Sequence, residues 1–392
     1  MSEFCKSLIG FFAAVSLFSV MAGCSKNTGS ISSPSSFVSS QTAFENASSS
    51  ENLPDRGSSA LEPDFSQEKI FANSTAENDP LIIRNDSIGI PDKAFYQTIL
   101  KTPVDKKGAV DQNSDGILQK NEIKRIPKSV NWDKKGIQSI QGIETLPVSE
   151  IHLNGNEIED ISPLAQLSGT VKTGGEQLTI ELQNNKVVSL TSFSTLLAKQ
   201  RSSHIETLNL SNNAVADISP LTGISIERLS LSRNQIAAVG SFFTNNQSFY
   251  LDLSYNRIQA LGACKFLAYS INLSHNKITA IQSLSASADE LNLSDNALKD
   301  VSFLGGIKAP GPSKLDLSNN QLSVLQDMEK WGWTNLTPGR DGEQYKVRFE
   351  GNHLSQNELQ TKLPGAFHAK TNPASSDAEK WLKDQVSKQV ND

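Results

Sequence analysis

Cysteine is nearly absent from this chain. Its 392 residues hold three, Cys5, Cys24 and Cys264, and the first two lie in or at the end of an apolar N-terminal run. Once that run is removed, one ordinary thiol remains, and an internal disulfide is excluded. Surplus positive charge is also missing. Lys and Arg number 36 against 42 Asp and Glu, a net charge of −6 with a pI near 5.5. That balance argues against a general nucleic-acid binder. Long apolar stretches are missing too: Leu8 to Val20 is uninterrupted but too short to span a bilayer as a stable helix. No H-E-x-x-H, G-x-S-x-G or P-loop glycine run is present. The five histidines, His152, His204, His275, His353 and His368, are scattered. His152 beside Glu181 is the one conceivable acid–base pair, and a surface ion pair is its plainer reading. A non-enzymatic chain is expected.

What the chain does have is a repeated eight-residue phrase. LNLSNNAV (208–215) returns as LSLSRNQI (229–236), LDLSYNRI (251–258), INLSHNKI (271–278), LNLSDNAL (291–298) and LDLSNNQL (315–322). IHLNGNEI (151–158), IELQNNKV (180–187) and VRFEGNHL (347–354) are looser copies, and VNWDKKGI (130–137) carries Lys135 in place of Asn. Apolar residues two apart mark a strand with one buried face. One such strand cannot bury that face alone; stacked copies can. The nine asparagines 156, 185, 213, 234, 256, 276, 296, 320 and 352 stand where the chain turns inward. An amide both donates and accepts, so they are predicted to form a buried ladder between coils.

The phrase resembles the leucine-rich repeat. The resemblance implies an α/β, mostly β, solenoid of nine to ten coils over 130–354, with a parallel sheet on its concave side. Spacings of 21, 22, 20 and 20 residues between the central asparagines are short. They leave extended or 3₁₀ segments on the convex side, as in Asp160-Ile-Ser-Pro163-Leu164 and Asp217-Ile-Ser-Pro220-Leu221. N-x-I-x-D-I-S-P-L is similar to the internalin-type repeats of bacterial surface proteins.

Residues 1–23 read as an export signal, with Lys6 ahead of the apolar run. Met21-Ala22-Gly23-Cys24 resembles the bacterial lipobox. The resemblance implies cleavage before Cys24 and an acylated N-terminus holding the chain to a membrane, and Ser25 implies the outer membrane. An ordinary secretory signal with a chance cysteine is the alternative. Residues 24–87 are predicted to be a tether, because eleven of the 26 residues from Ser25 to Ser50 are serine and such a composition cannot offset its ordering entropy. Phe37, Phe44, Phe65 and Phe71 are scattered within it.

The segment 88–129 is predicted to cap the first coil, with a short helix over Pro91–Leu100. Asp111-Gln-Asn113-Ser-Asp115-Gly116-Ile117-Leu-Gln119-Lys-Asn-Glu122 then fits D-x-[DN]-x-[DN]-G-x₅-E. Ca²⁺ requires several oxygens, so acids and amides alternate. Asp111, Asn113, Asp115, the Ile117 carbonyl, Gln119 and Glu122 are the expected ligands of one weak site. An empty turn that shapes the cap is the bland reading. At the other end 355–392 is predicted to carry a capping helix. Ser376-Asp-Ala-Glu379 forms a capping box, and Ala378, Trp381, Leu382, Val386 and Val390 follow at helical spacing. Trp331 and Trp333, in the long insert before Asn352, read as a hot spot or, more plainly, as packing. Cys264 reads as a small buried hydrophobe.

Stacking brings equivalent strand positions side by side. One row runs through Arg228, Tyr250 and Ser270, and the next through Ser230, Asp252 and Asn272. Binding hot spots favour Trp, Tyr and Arg, so Arg228, Tyr250, Asp252 and Asn272 are the expected contact residues, against the alternative of a merely solvated face. The function expected is binding of a protein or glycan partner at the bacterial cell envelope, by a lipid-anchored monomer that takes no nucleic acid. A structural envelope lipoprotein and a calcium-dependent adhesin remain as alternatives.

Overall fold

The fold is taken from a computed structural model. It describes residues 82–390 except 88, 105–107, 168–177, 195–203, 246–247, 327, 342–343, 365–366 and 368–374. The export signal, Cys24, the serine-rich segment up to residue 81 and its four phenylalanines lie outside the described residues.

The repeats build one ten-stranded parallel sheet in chain order. Its strands are Ser129–Asn131, Glu150–His152, Leu178–Glu181, His204–Asn209, Ser225–Ser230, Tyr250–Asp252, Ser270–Asn272, Glu290–Asn292, Lys314–Asp316 and Val347–Arg348. Register follows the repeat: Leu229, Leu251, Ile271, Leu291 and Leu315 stand Cα beside Cα, all buried. Each coil thus covers the apolar row of the next, at roughly 25 cal/mol for every Å² removed from water.

The asparagine ladder forms as predicted. Asn256 Oδ1 accepts the Ile236 N–H of the preceding coil at 3.0 Å. Its amide donates back to the Leu231 carbonyl at 2.9 Å and to Leu253 of its own coil at 3.0 Å. Asn276 and Asn296 repeat the pattern one coil further on each time. Asn185, Asn213, Asn276 and Asn296 are half-buried rather than buried, because the turn that carries them meets solvent.

On the convex side the short coils hold 3₁₀ segments at Ser162–Gln166, Ser219–Leu221 and Ser302–Gly306. Asp160, Asp217 and Asp300 start them, each accepting the backbone N–H of the serine two residues on. Pro163 and Pro220 sit in the first turn, where a missing N–H costs nothing. Two coils differ: Ala260–Leu267 and Ala280–Ser287 pair in parallel as a second sheet of two strands. Leu261, Cys264, Ile281 and Leu284 turn inward from it and are buried. Burial pushes the Cys264 thiol up to about 11.

Both ends are closed by side chains that replace a missing coil. At the N-terminal end the helix is Lys93–Leu100. Asp92 Oδ1 accepts the Phe95 N–H at 2.9 Å, capping that helix, while its Oδ2 takes the N–H groups of Gln138 and Ser139 at 2.6 and 2.8 Å. Residues ahead of 88 also take part in this cap. Ile82–Ile83 pairs antiparallel with Leu118–Gln119, and Ile83 packs against the core. At the C-terminal end the helix Ser375–Ser387 lies on the last strand. Gln385, fully buried, accepts the Phe349 N–H at 2.6 Å. Gln389 accepts the Leu354 N–H at 3.1 Å and donates to the Phe349 carbonyl at 3.1 Å. Trp381 Nε1 donates to the Val347 carbonyl at 2.8 Å. Ala378 and Trp381 are buried as predicted; Val390 is 48% exposed, because the helix ends before it.

The insert tryptophans pack rather than project. Trp333 is buried, donates to the Ile307 carbonyl at 3.1 Å and lies over Gly311. Trp331 is half-buried against it, with ring centroids 5.1 Å apart.

Candidate functional site

The strand register brings the four expected contact residues together. Arg228 aligns with Tyr250, and Ser230, Asp252 and Asn272 lie across three adjacent strands. The Arg228 guanidinium carbon sits 4.2 Å from the centre of the Tyr250 ring, a cation–π contact. All four residues line one open pocket of about 310 Å³, with Glu181 and Asn209 on its N-terminal side.

Two further aromatics, not foreseen from the repeat rows, buttress Tyr250. Phe249 and Tyr269 stack with centroids 5.3 Å apart and planes 12° apart. Tyr250 meets both nearly edge-on, at 4.9 and 5.6 Å. Burial raises the Tyr269 phenol, and the carboxylates of Asp289 and Glu290 raise it further. The sequence did carry a signal for this pair: each precedes a row residue, as Phe249-Tyr250 and Tyr269-Ser270.

Charge is distributed unevenly along the concave face. At the N-terminal end His152 Nε2 lies 3.1 Å from Glu150 Oε1, and that hydrogen bond, with a lesser one from Ser129, lowers the Glu150 carboxyl. His152 is therefore paired with Glu150 and not with Glu181, which instead accepts from the Asn209 amide at 2.8 Å. The reason is that Glu150 shares a strand face with His152 two residues away. At the C-terminal end Lys314 bonds Glu290 at 2.8 Å, and Arg348 bridges Asp316 and Glu350. Burial works against the Arg348 charge, but Glu350 and Asp316 outweigh it and raise its pKa. In the centre, Arg228 and Asp252 make no ion pair among the described residues. Asp252 Oδ1 accepts the Ser254 N–H at 2.9 Å. The Asn272 side-chain Oδ1 accepts from the Ser274 N–H and hydroxyl at 3.1 and 2.8 Å, and the residue lines the pocket.

The predicted calcium loop is a closed turn. Asp111 Oδ2 accepts the Gly116 N–H at 3.0 Å, and Gly116 takes the left-handed φ of 77° that the bend requires. Asp115 accepts the Ile117 N–H at 2.8 Å and the side-chain amides of Asn113 and Gln119 at 2.7 and 2.9 Å. Glu122, buried, accepts the N–H groups of Gln112 and Gln119 at 2.9 and 3.1 Å. Among the described residues no three His, Cys, Asp or Glu side chains converge on one point. Asp111 Oδ1, however, is buried with no hydrogen-bond partner. Burial raises the nearby Tyr96 phenol, and the charges of Asp115, Asp111 and Glu122 add to that rise. The donor set is thus oxygen-rich and carries one orphaned carboxylate oxygen, which suits a hard cation.

Comparison with known proteins agrees with the repeat reading where it applies. A leucine-rich repeat family profile matches residues 201–218. Comparison with curated proteins gives no match. Among solved structures, the chain is similar to an internalin (InlF) of Listeria monocytogenes, at 22% identity, over 68% of this chain and 91% of that one, with a TM-score of 0.33. It is similar to the functional domain of InlJ from the same organism at 15% identity, over 70% of this chain and 60% of that one, with a TM-score of 0.40. A Leptospira interrogans leucine-rich repeat protein matches at 15% identity, over 58% of this chain and 69% of that one, with a TM-score of 0.26. With ten in-register parallel strands and an asparagine bridging each coil to its neighbour, the fold is a leucine-rich repeat solenoid.

Proposed function

We propose that this chain is a non-enzymatic recognition module, held at the bacterial cell envelope through acylated Cys24, that binds a protein or glycan partner on its concave face. The observation carrying this reading is the central pocket. Arg228, Tyr250, Asp252 and Asn272 converge there, and among the described residues Arg228 and Asp252 lack the ion-pair partners found at both ends of the sheet. An arginine stacked on a tyrosine has hot-spot composition. The test is affinity capture from an envelope extract with the full chain, beside an Asp252→Lys/Asn272→Lys variant. A partner enriched by the parent and lost from the variant supports the reading; identical captures from both overturn it. Mass spectrometry finding an unmodified Cys24 thiol in the mature protein removes the anchor.

A second reading, that Ca²⁺ steadies the N-terminal cap, is favoured by the orphaned Asp111 Oδ1. Asp111, Asn113, Asp115, the Ile117 carbonyl, Gln119 and Glu122 would hold the ion, with Glu122 giving up its N–H donors to do so. The ion would supply charge neutralisation to the three carboxylates. Calorimetric titration with calcium chloride should give heat with the parent and none with Asp111→Ala; equal heats refute it.

A further inference from the structure

We infer that the occupant of the central concave pocket is a protein segment presenting a side-chain carboxylate to Arg228 and a cation or N–H donor to Asp252, rather than a glycan. This deepens the recognition reading above and rests on it.

Three observations carry the inference. The first is that Arg228 is stacked on a ring yet open to solvent. The Tyr250 ring holds its guanidinium at 4.2 Å, and among the described residues no carboxylate pairs with it. A guanidinium offers five N–H donors in a rigid fork that matches the two oxygens of a carboxylate, and stacking reduces the freedom lost on binding. Asp252 stands two residues beyond Tyr250 on the same strand, a Cα separation of roughly 7 Å. Arg228 aligns with Tyr250 on the neighbouring strand, so the two opposite charges share one face, and an extended peptide with an acidic and a basic residue close together can meet both.

The second observation concerns the rings. A sugar bound by an aromatic residue lays its C–H face on an open ring face. One face of each ring in these central coils is already taken by a neighbour along the solenoid. Tyr250 carries Arg228, and Phe249 and Tyr269 cover each other. On the adjoining rim Tyr255 stands between Arg233 at 4.1 Å and His275 at 4.0 Å. What the pocket offers beside Tyr250 is a guanidinium, a carboxylate and an amide, and the opposite charges of Arg228 and Asp252 suit a partner that is itself charged, as a peptide with acidic and basic side chains is and a neutral sugar is not.

The third is the contrast with the rest of the sheet. Lys314 with Glu290, and Arg348 with Asp316 and Glu350, neutralise one another. A partner carboxylate approaching there must displace an existing ion pair. At Arg228 it displaces only water.

The test is selection of short randomised peptides displayed on phage against the immobilised full chain and against Arg228→Gln, Arg228→Lys and Asp252→Asn. Gln keeps much of the stem over Tyr250, and the melting temperature of each variant checks its folding. Peptides selected by the parent should share an Asp or Glu with a Lys or Arg close by. Their affinity should fall at least tenfold in Arg228→Gln and also in Arg228→Lys, which loses the fork. Asp252→Asn should relax only the preference for the basic residue. Selected peptides without an acidic residue, or with equal affinity for parent and Arg228→Gln, overturn the carboxylate anchor. If such peptides are still lost from Asp252→Lys/Asn272→Lys, the concave face remains a recognition surface and the anchor alone is wrong. Peptides indifferent to every variant, no enrichment at all, or binding on a glycan array without peptide binding overturn the inference.

Discussion

Replacing Asn256 by alanine isolates the ladder, because its contacts fail unequally. The Leu231 carbonyl also receives the Asn234 amide at 3.0 Å, and the Leu253 carbonyl also receives Asn276 at 3.0 Å. Each carbonyl keeps one donor when Asn256 goes. The Ile236 N–H does not: Asn256 Oδ1 at 3.0 Å is its acceptor, and Ile236 is fully buried. An orphaned buried donor costs about 1–3 kcal/mol, and the weakened carbonyl bonds add about 1 kcal/mol. The expected loss is about 3 kcal/mol, or on the order of 6 °C in melting temperature. Urea denaturation followed by circular dichroism measures it. Asn296→Ala, at a half-buried rung, should cost less, since water can reach its partners. A loss below about 0.5 kcal/mol at Asn256, or a larger loss at Asn296, would refute the account, because both follow from burial and the number of donors.

Other expectations follow from the caps, the turns and the thiol. Gln385→Ala should orphan the Phe349 N–H and expose the last strand, seen as faster hydrogen exchange at Phe349 with little change at the central strands; unchanged protection there would deny the helix its capping role. Gly311→Ala should destabilise more than Gly223→Ala. Both have positive φ, 78° and 84°, but a Cβ at Gly311 meets the Trp333 ring whereas at Gly223 nothing lies within 4 Å. Thermal melts should show about 1–2 kcal/mol for Gly223 from backbone strain alone, and equal losses would sink the clash argument. Cys264 should resist iodoacetamide at pH 8 in the folded chain and react on unfolding, since its thiol is raised by burial to about 11. Because that raised group stays protonated in the fold while the unfolded thiol ionises, its contribution to stability should fall between about pH 9 and 11; a thiol that reacts at the same rate in both states would contradict its burial.

How far the fold could be read from the sequence depended on periodicity. The strand leucines and the ladder asparagines recur at 20 to 22 residues through the centre, so stacking and register followed. The Ile82–Ile83 strand could not be read, because two isoleucines carry no period and their partners lie at Leu118–Gln119. The convex pair was also hidden: ALGACKFL and AIQSLSAS lack clean alternation, and they pair because two successive coils have equal length. Gln385 was missed because glutamine on a helix reads as solvent-facing, while here the unpaired edge of the last strand makes its amide necessary. At the candidate site Arg228, Tyr250, Asp252 and Asn272 were legible from register alone. Their buttress, Phe249 and Tyr269, left only a weaker signal, an aromatic residue one position ahead of a row residue on two successive coils.

The paired convex strands Ala260–Leu267 and Ala280–Ser287 have a mechanical consequence. A solenoid bends where its two sides have different widths per coil. Parallel strands stand about 4.8 Å apart on whichever side they occur. Where strand faces strand across the core, the wedge between coils vanishes, and hydrogen bonds on both sides resist bending. The C-terminal flank of the Arg228 pocket is thus backed by a flat, doubly tied plate. Spacing between Asp252 and Asn272 is set by that plate and should hold constant while the rest of the solenoid flexes, so a partner reads a fixed ruler at this point.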